Sequence, residues 1–298
     1  MAKITTLLRR IALVAGLMAA GPAFCQDAGV TANAYPAGGL VDQPCPAGAV
    51  GRTALEERFA RAMVADGPLD PAALKAFVAS AADRARADEA RSRNDWADLC
   101  LYRAANDALA ASGGAKVVFL GDSITELWQV ADPDLFTGGV VDRGVSGQTS
   151  GQALLRFYSD VAALHPKAAH LLIGVNDIAA NNGPSRAEDL KNNIRAMADI
   201  AQANHIQLII GSITPAAMFP WRRGIQPAPQ IVALNRWLQD FAQARGLIYV
   251  DYYSALAAPD GGMKDGFSRD GVHPLAKGYA LMRPLARAAI EKALAAAR

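Results

Sequence analysis

The sequence predicts an α/β protein: a five-stranded parallel sheet with helices on both faces, preceded by a helical extension. Three observations predict this. Beyond Gly114, short apolar runs alternate with amphipathic helical stretches, the pattern of strands joined by crossover helices. The runs are apolar almost throughout rather than at every second residue, as strands covered on both faces must be. Over residues 52–112, helical periodicity occurs without any such run. With 298 residues, 52% of them hydrophobic and 19% charged, the chain can bury one large core, and a fibrous or globally disordered protein is excluded.

The elements follow in order. Lys3, Arg9 and Arg10 precede a short apolar run, Ile11–Ala20, and Ala23-Phe24-Cys25 offers a small-residue cleavage site. Residues 1–25 therefore read as a secretory signal peptide, and the run is shorter than the roughly 20 residues a membrane span needs. The expected location is secreted or periplasmic. Lys3, Arg9 and Arg10 leave with the peptide and no acidic residue does, so 27 basic face 28 acidic residues, a net charge of −1. Without a basic excess or a basic run, nucleic acid is not an expected partner.

Residues 26–51, rich in Gly, Ala and Pro, read as a loose N-terminal segment. Residues 52–112 read as a helical extension: 53–66, then 70–95 with Asp70 capping ahead of Pro71, then 95–112, which Gly113-Gly114 ends. Residues 113–298 form the α/β domain. Its strands are expected at 116–120, 140–145, 170–174, 206–213 and 247–253. Helices are expected at 149–164, at 185–204 with a Ser185–Glu188 capping box, at 229–245 and at 274–298, the last bent near Pro284. Of the cysteines left after cleavage, Cys45 and Cys100 could form a bridge in an oxidising compartment or remain two unpaired thiols.

Ligands of such sheets bind outside the carboxyl ends of the strands, so chemistry is expected just after strands. Ser123 follows the first strand and opens a helix, where free N–H groups favour an anion; an ordinary helix cap is the other reading. A serine nucleophile needs a base. Among four histidines, His165 ends a helix before Pro166, His170 and His205 lie at the wrong ends of their strands, and only His273 follows a strand, the fifth. Asp270, three residues earlier, can return to the imidazole; Asp251, at the end of the fifth strand, is a rival acid. For an oxyanion, RGVSGQT after the second strand offers Gly147 and GVND after the third offers Asn176, either of which could be an ordinary turn.

The ordered set GDSIT, RGVSGQT, GVND and DGVHP resembles the four motif blocks of the SGNH hydrolases, also called GDSL lipases and esterases. The resemblance spans roughly residues 114–290. It implies a three-layer, flavodoxin-like α/β/α sandwich in which Ser123 is nucleophile and backbone oxyanion donor. Gly147 and Asn176 would complete the oxyanion hole, with His273 as base and Asp270 as acid. It implies no cofactor and no metal. One position departs: Asp142 stands where the second block commonly has Asn. The family acts on lipids, thioesters, lysophospholipids and acetylated sugars. Ester hydrolysis through an acyl-enzyme is the expected activity, with short-chain or acetyl esters favoured because no long apolar groove is evident. The alternatives are a lysophospholipase- or thioesterase-type acylhydrolase, acyl transfer to a sugar, and a non-catalytic exported module. After the fourth strand, Phe219 and Trp221 could meet an acyl chain or a sugar ring, and Arg222 and Arg223 an anionic head group; a solvated loop with one aromatic anchor is the plainer reading.

Overall fold

The computed structural model of the chain describes residues 39–46 and 51–297. The predicted signal peptide and residues 26–38 lie outside the described residues. The extension comprises α1 (Ala54–Val64), α2 (Pro71–Ala79), α3 (Ala81–Asn94) and α4 (Arg103–Ala111). Thr53 and Glu56 form a capping box on α1, and Asp70 caps α2 ahead of Pro71, both by accepting N–H groups that a helix start leaves free. Ala60 and Val64 of α1 join the main core, whereas α3 buries no residue.

The helix expected over 95–112 forms only from Arg103. The Asp95 carboxylate takes the N–H groups of Leu99 and Cys100 at 2.7 and 2.9 Å, competing with the helical pattern as aspartate does. Asp98 is left-handed, φ 55°. Cys100 is joined to Cys45 in a disulfide, Cα–Cα 5.4 Å.

The α/β domain follows as β1 (Val117–Gly121), α5 (Ser123–Ala131), β2 (Val140–Gly144), α6 (Ser150–Asp160), β3 (Ala168–Leu172), α7 (Val175–Ile178), α8 (Ala187–Ala203), β4 (Gln207–Gly211), α9 (Pro227–Ala244), β5 (Ile248–Val250), α10 (Tyr252–Leu256) and α11 (Ala276–Ala296). All strands are parallel, in the order β2-β1-β3-β4-β5. Helices α5 and α11 pack on one face of the sheet, and α6, α8 and α9 on the other. This is the doubly wound, flavodoxin-like order, whose direction of winding reverses beside β1. In register, Gly121 pairs with Gly144 on one side and Leu172 on the other, so the carboxyl ends of β1, β2 and β3 are level.

Several boundaries differ from expectation. β3 begins two residues early, which puts His170 in mid-strand rather than at its opening. There the ring is fully buried, stacks on Phe119 at 4.2 Å and meets the Tyr252 hydroxyl through Nε2 at 2.8 Å. Burial pushes its pKa down to about 3, so it is a neutral core side chain. The cap of α8 is one residue later than the Ser185–Glu188 box: Asp189 accepts from the Arg186 N–H at 3.0 Å. β5 is short because Asp251 ends it by capping α10, accepting from the Ser254 N–H at 2.9 Å. α11 runs unbroken past Pro284.

Candidate active site

The site grows from the end of β1. Asp122 Oδ1 accepts the N–H of Ile124 at 2.9 Å, which starts α5 at Ser123. Two contacts hold that first turn. Gly144, ending β2, approaches so closely that a Cβ there would fall on the Glu126 backbone nitrogen. From α11, the Tyr279 hydroxyl donates to the Ile124 carbonyl at 2.8 Å. Ser123 is thereby presented at the carboxyl edge of the sheet, mostly buried.

His273 arrives from the loop between α10 and α11. Asp270 organises that loop: its Oδ1 accepts the N–H groups of Val272 and His273, both at 2.9 Å, and the Ser268 hydroxyl at 3.1 Å. Gly271, φ 82°, permits the tight return. Oδ2 then lies 2.6 Å from His273 Nδ1, and His273 Nε2 lies 2.8 Å from Ser123 Oγ. An ionised carboxylate only accepts, so Nδ1 carries the proton and Nε2 is free to take one. Burial favours neutral forms of both groups, but their mutual attraction and hydrogen bonds prevail. Asp270 is held well below the usual carboxylate range, and His273 is raised above the ordinary imidazole value. The rival acid Asp251 is committed to the start of α10.

Opposite this series lie the other two motif loops. Gly147 is left-handed, φ 81°, with open space where a Cβ would be. Its neighbour Gln148 is tied to the next loop, because the Asn176 side chain donates Nδ2–H to the Gln148 carbonyl at 3.0 Å. Asn176 Oδ1 in turn accepts from Asn181 Nδ2 at 2.5 Å. Asp177 caps α6 from the same loop, accepting the Ser150 N–H at 2.9 Å. The strand ends thus bring Ser123, Gly147 and Asn176 to one edge, and the loop before α11 adds His273 and Asp270.

The expected substrate contacts divide. Phe219 is fully buried and stacks beneath Trp221, 5.5 Å between centroids; it packs the loop and cannot meet an acyl chain. Trp221 is half-buried, lies alongside the His273 ring at 6.5 Å and donates its indole N–H to Asn181 Oδ1 at 2.9 Å. Arg222 and Arg223 are exposed. Asn181 and Tyr279 are neighbours of the site that lie outside the motifs, whereas Gln148 lies inside RGVSGQT but is not among its expected site residues. For Gln148 the available signal was its place directly after Gly147.

The extension reaches helix α5 and two of these loops. Arg52 donates to Glu126 of α5 at 2.7 Å, and Glu126 accepts the Ser146 N–H at 2.7 Å. Asp98 and the Ala97 carbonyl accept from the Gln148 side chain at 2.8 and 2.9 Å. Arg269, beside Asp270, donates to the Ala65 carbonyl at 2.5 Å.

A serine hydroxyl, an imidazole and a carboxylate in hydrogen-bonded series at the edge of a parallel sheet form the arrangement that serine hydrolases use. Residues 119–281 match the model of the GDSL-like Lipase/Acylhydrolase family, and the chain belongs to that family. A GDSL-like lipase of Bacteroides thetaiotaomicron is 42% identical with a TM-score of 0.64; the match covers 67% of this chain and 100% of that one. A Bacteroides fragilis structure described as an acylhydrolase is 39% identical, TM-score 0.64, covering 67% of this chain and 99% of that one. No curated protein matches the sequence. By its family the chain is an acylhydrolase.

Proposed function

We propose that the protein is an exported serine esterase that hydrolyses short-chain carboxylic esters through an acyl-enzyme. The observation that carries this reading is the unbroken series Ser123 Oγ–His273 Nε2 at 2.8 Å and His273 Nδ1–Asp270 Oδ2 at 2.6 Å. In it, His273 takes the proton of Ser123 as Oγ attacks the acyl carbon. The Asp270 carboxylate stabilises the imidazolium without taking the proton. The tetrahedral oxyanion is met by the N–H groups of Ser123 and Gly147 and by the remaining side-chain N–H of Asn176. His273 then returns the proton to the leaving alkoxide. A water activated by the same imidazole releases the acid.

The preference for short acyl chains is supported by the burial of Phe219, which leaves Trp221 as the single aromatic of that loop able to border an acyl chain. Export is supported by the sequence of residues 1–25 and by the disulfide, a bond that persists in oxidising compartments. The test is a panel of p-nitrophenyl esters with wild type and Ser123→Ala side by side. Wild type should turn over the acetate faster than the laurate and take up a fluorophosphonate label. Ser123→Ala, folded to the same melting temperature, should do neither. Undiminished turnover by Ser123→Ala would reject the mechanism, and faster turnover of the laurate would reject the chain-length preference.

A further inference from the structure

Resting on that reading of the site, we propose that Trp221 and Asn181 are positioning residues that fix which end of the Asn176 amide faces the oxyanion. An asparagine amide has two orientations related by a half-turn, one presenting N–H and the other presenting a carbonyl oxygen. Presented to a developing oxyanion, the first stabilises and the second repels. Something must choose between them, and a relay of three hydrogen bonds makes the choice.

The relay runs Trp221 Nε1–H to Asn181 Oδ1 at 2.9 Å, Asn181 Nδ2–H to Asn176 Oδ1 at 2.5 Å, and Asn176 Nδ2–H to the Gln148 carbonyl at 3.0 Å. Its two ends are chemically unambiguous. An indole N–H can only donate, and a backbone carbonyl can only accept. Each amide between them has one acceptor end and one donor end, so the direction of the whole relay follows from its termini. Reversing Asn181 alone would set its NH2 against the indole N–H. Reversing Asn176 alone would set its oxygen against the Gln148 carbonyl. Asn176 is 3% exposed, so water cannot readily replace a lost partner, and an unpaired group there is costly. With Oδ1 held by Asn181 and one N–H held by Gln148, a single N–H of Asn176 is left over. The same indole lies alongside the His273 ring at 6.5 Å, so one side chain borders the base and sets the far donor.

The experiment is a double-mutant cycle on p-nitrophenyl acetate, with an NMR measurement that needs no turnover. Asn176→Ala should lower kcat by about 10²–10³-fold, as loss of an oxyanion donor does. Trp221→Phe keeps an aromatic ring in the loop but removes the N–H together with the pyrrole half of the indole. It and Asn181→Ala should each lower kcat by about tenfold, the size of one ordinary hydrogen bond, with KM within about twofold, because the oxyanion exists only beyond the ground state. In an Asn176→Ala background, Trp221→Phe should cost nothing further. Full additivity, or a loss seen in KM alone, would overturn the relay and make Trp221 a substrate contact or a packing residue. Separately, the Trp221 indole N–H of wild type should exchange slowly with solvent, and its resonance should move in Asn181→Ala. An indole N–H that exchanges freely, or ignores that substitution, would overturn the relay whether or not the protein hydrolyses esters. Activity surviving in Ser123→Ala would instead remove the esterase reading and leave the NMR result to decide the relay.

Discussion

His273 and Asp270 set the pH dependence. The proposed base works only when unprotonated, so kcat/KM should rise with pH through the pKa of His273 in the free enzyme. Asp270 holds that pKa above the ordinary imidazole value, against a burial effect that would lower it. The rising limb should therefore be centred above about pH 6.5. Asp270→Asn removes the charge and should move the limb to lower pH while reducing kcat by about 10³–10⁴-fold; a kcat/KM profile between pH 5 and 9 on both proteins checks this, and an unmoved limb would mean that the carboxylate does not govern the imidazole. These residues were legible in the sequence because each is carried by a short motif at the end of a strand, and Asp270 lies within one turn of its partner. Tyr279 and Ile124 were not, because 155 residues separate them and nothing local marks the pair. Phe219 and Trp221 looked alike in the sequence. Only packing separates the buried ring from the one that donates to Asn181.

Helix starts and strand cores followed from local chemistry, and the discrepancies lie where a side chain competes with the backbone. Asp95 dissolves the first two turns of the helix expected over 95–112, and Asp251 cuts β5 short to cap α10. Hydrophobic periodicity does not register such contacts, since both aspartates sit where a polar residue is unremarkable in either structure. The turn that Asp95 creates is also where the extension meets the core. Cys100 lies in it, bonded to Cys45 across 55 residues of sequence, and Ala97 and Asp98 hold the Gln148 side chain. Replacing both cysteines with serine should lower the unfolding free energy by about 2–4 kcal/mol, measured by denaturant titration. Hydrogen exchange should quicken over 52–111 before it does in β1 or β3. A uniform change across the chain would instead mean that extension and core unfold as one unit.

The whole molecule carries buried acids on the core side of its active edge. Burial pushes the carboxyls of Asp122 and Asp142 up to about 7, and Asp142 Oδ2 has no hydrogen-bond partner. In the unfolded chain such groups titrate near 4. The folded state therefore binds more protons between about pH 4 and 7, and stability falls as pH rises through that window. His273 adds to the fall, since its raised pKa stabilises below about pH 6.5 and that contribution fades as pH passes its folded value. His170, whose pKa burial pushes down to about 3, acts oppositely below about pH 6.5 and offsets one of the two carboxyls there; Asp270 also acts oppositely, but its contribution is lost only in strong acid. Melting temperature should thus decline from pH 5 to pH 8. Asp142→Asn, which retains an acceptor for the Gly144 N–H, should flatten the decline; an equal slope in the variant would show that Asp142 is ionised throughout. The family model begins at residue 119, so the extension that grips helix α5 and two loops of the active edge lies outside it. The Cys45–Cys100 bond has a topological consequence for that extension. A protease that cuts between α1 and α2, at the exposed residues near Gly67, would sever the backbone without releasing either piece. The nicked protein would migrate as one band until a reductant parted it into two.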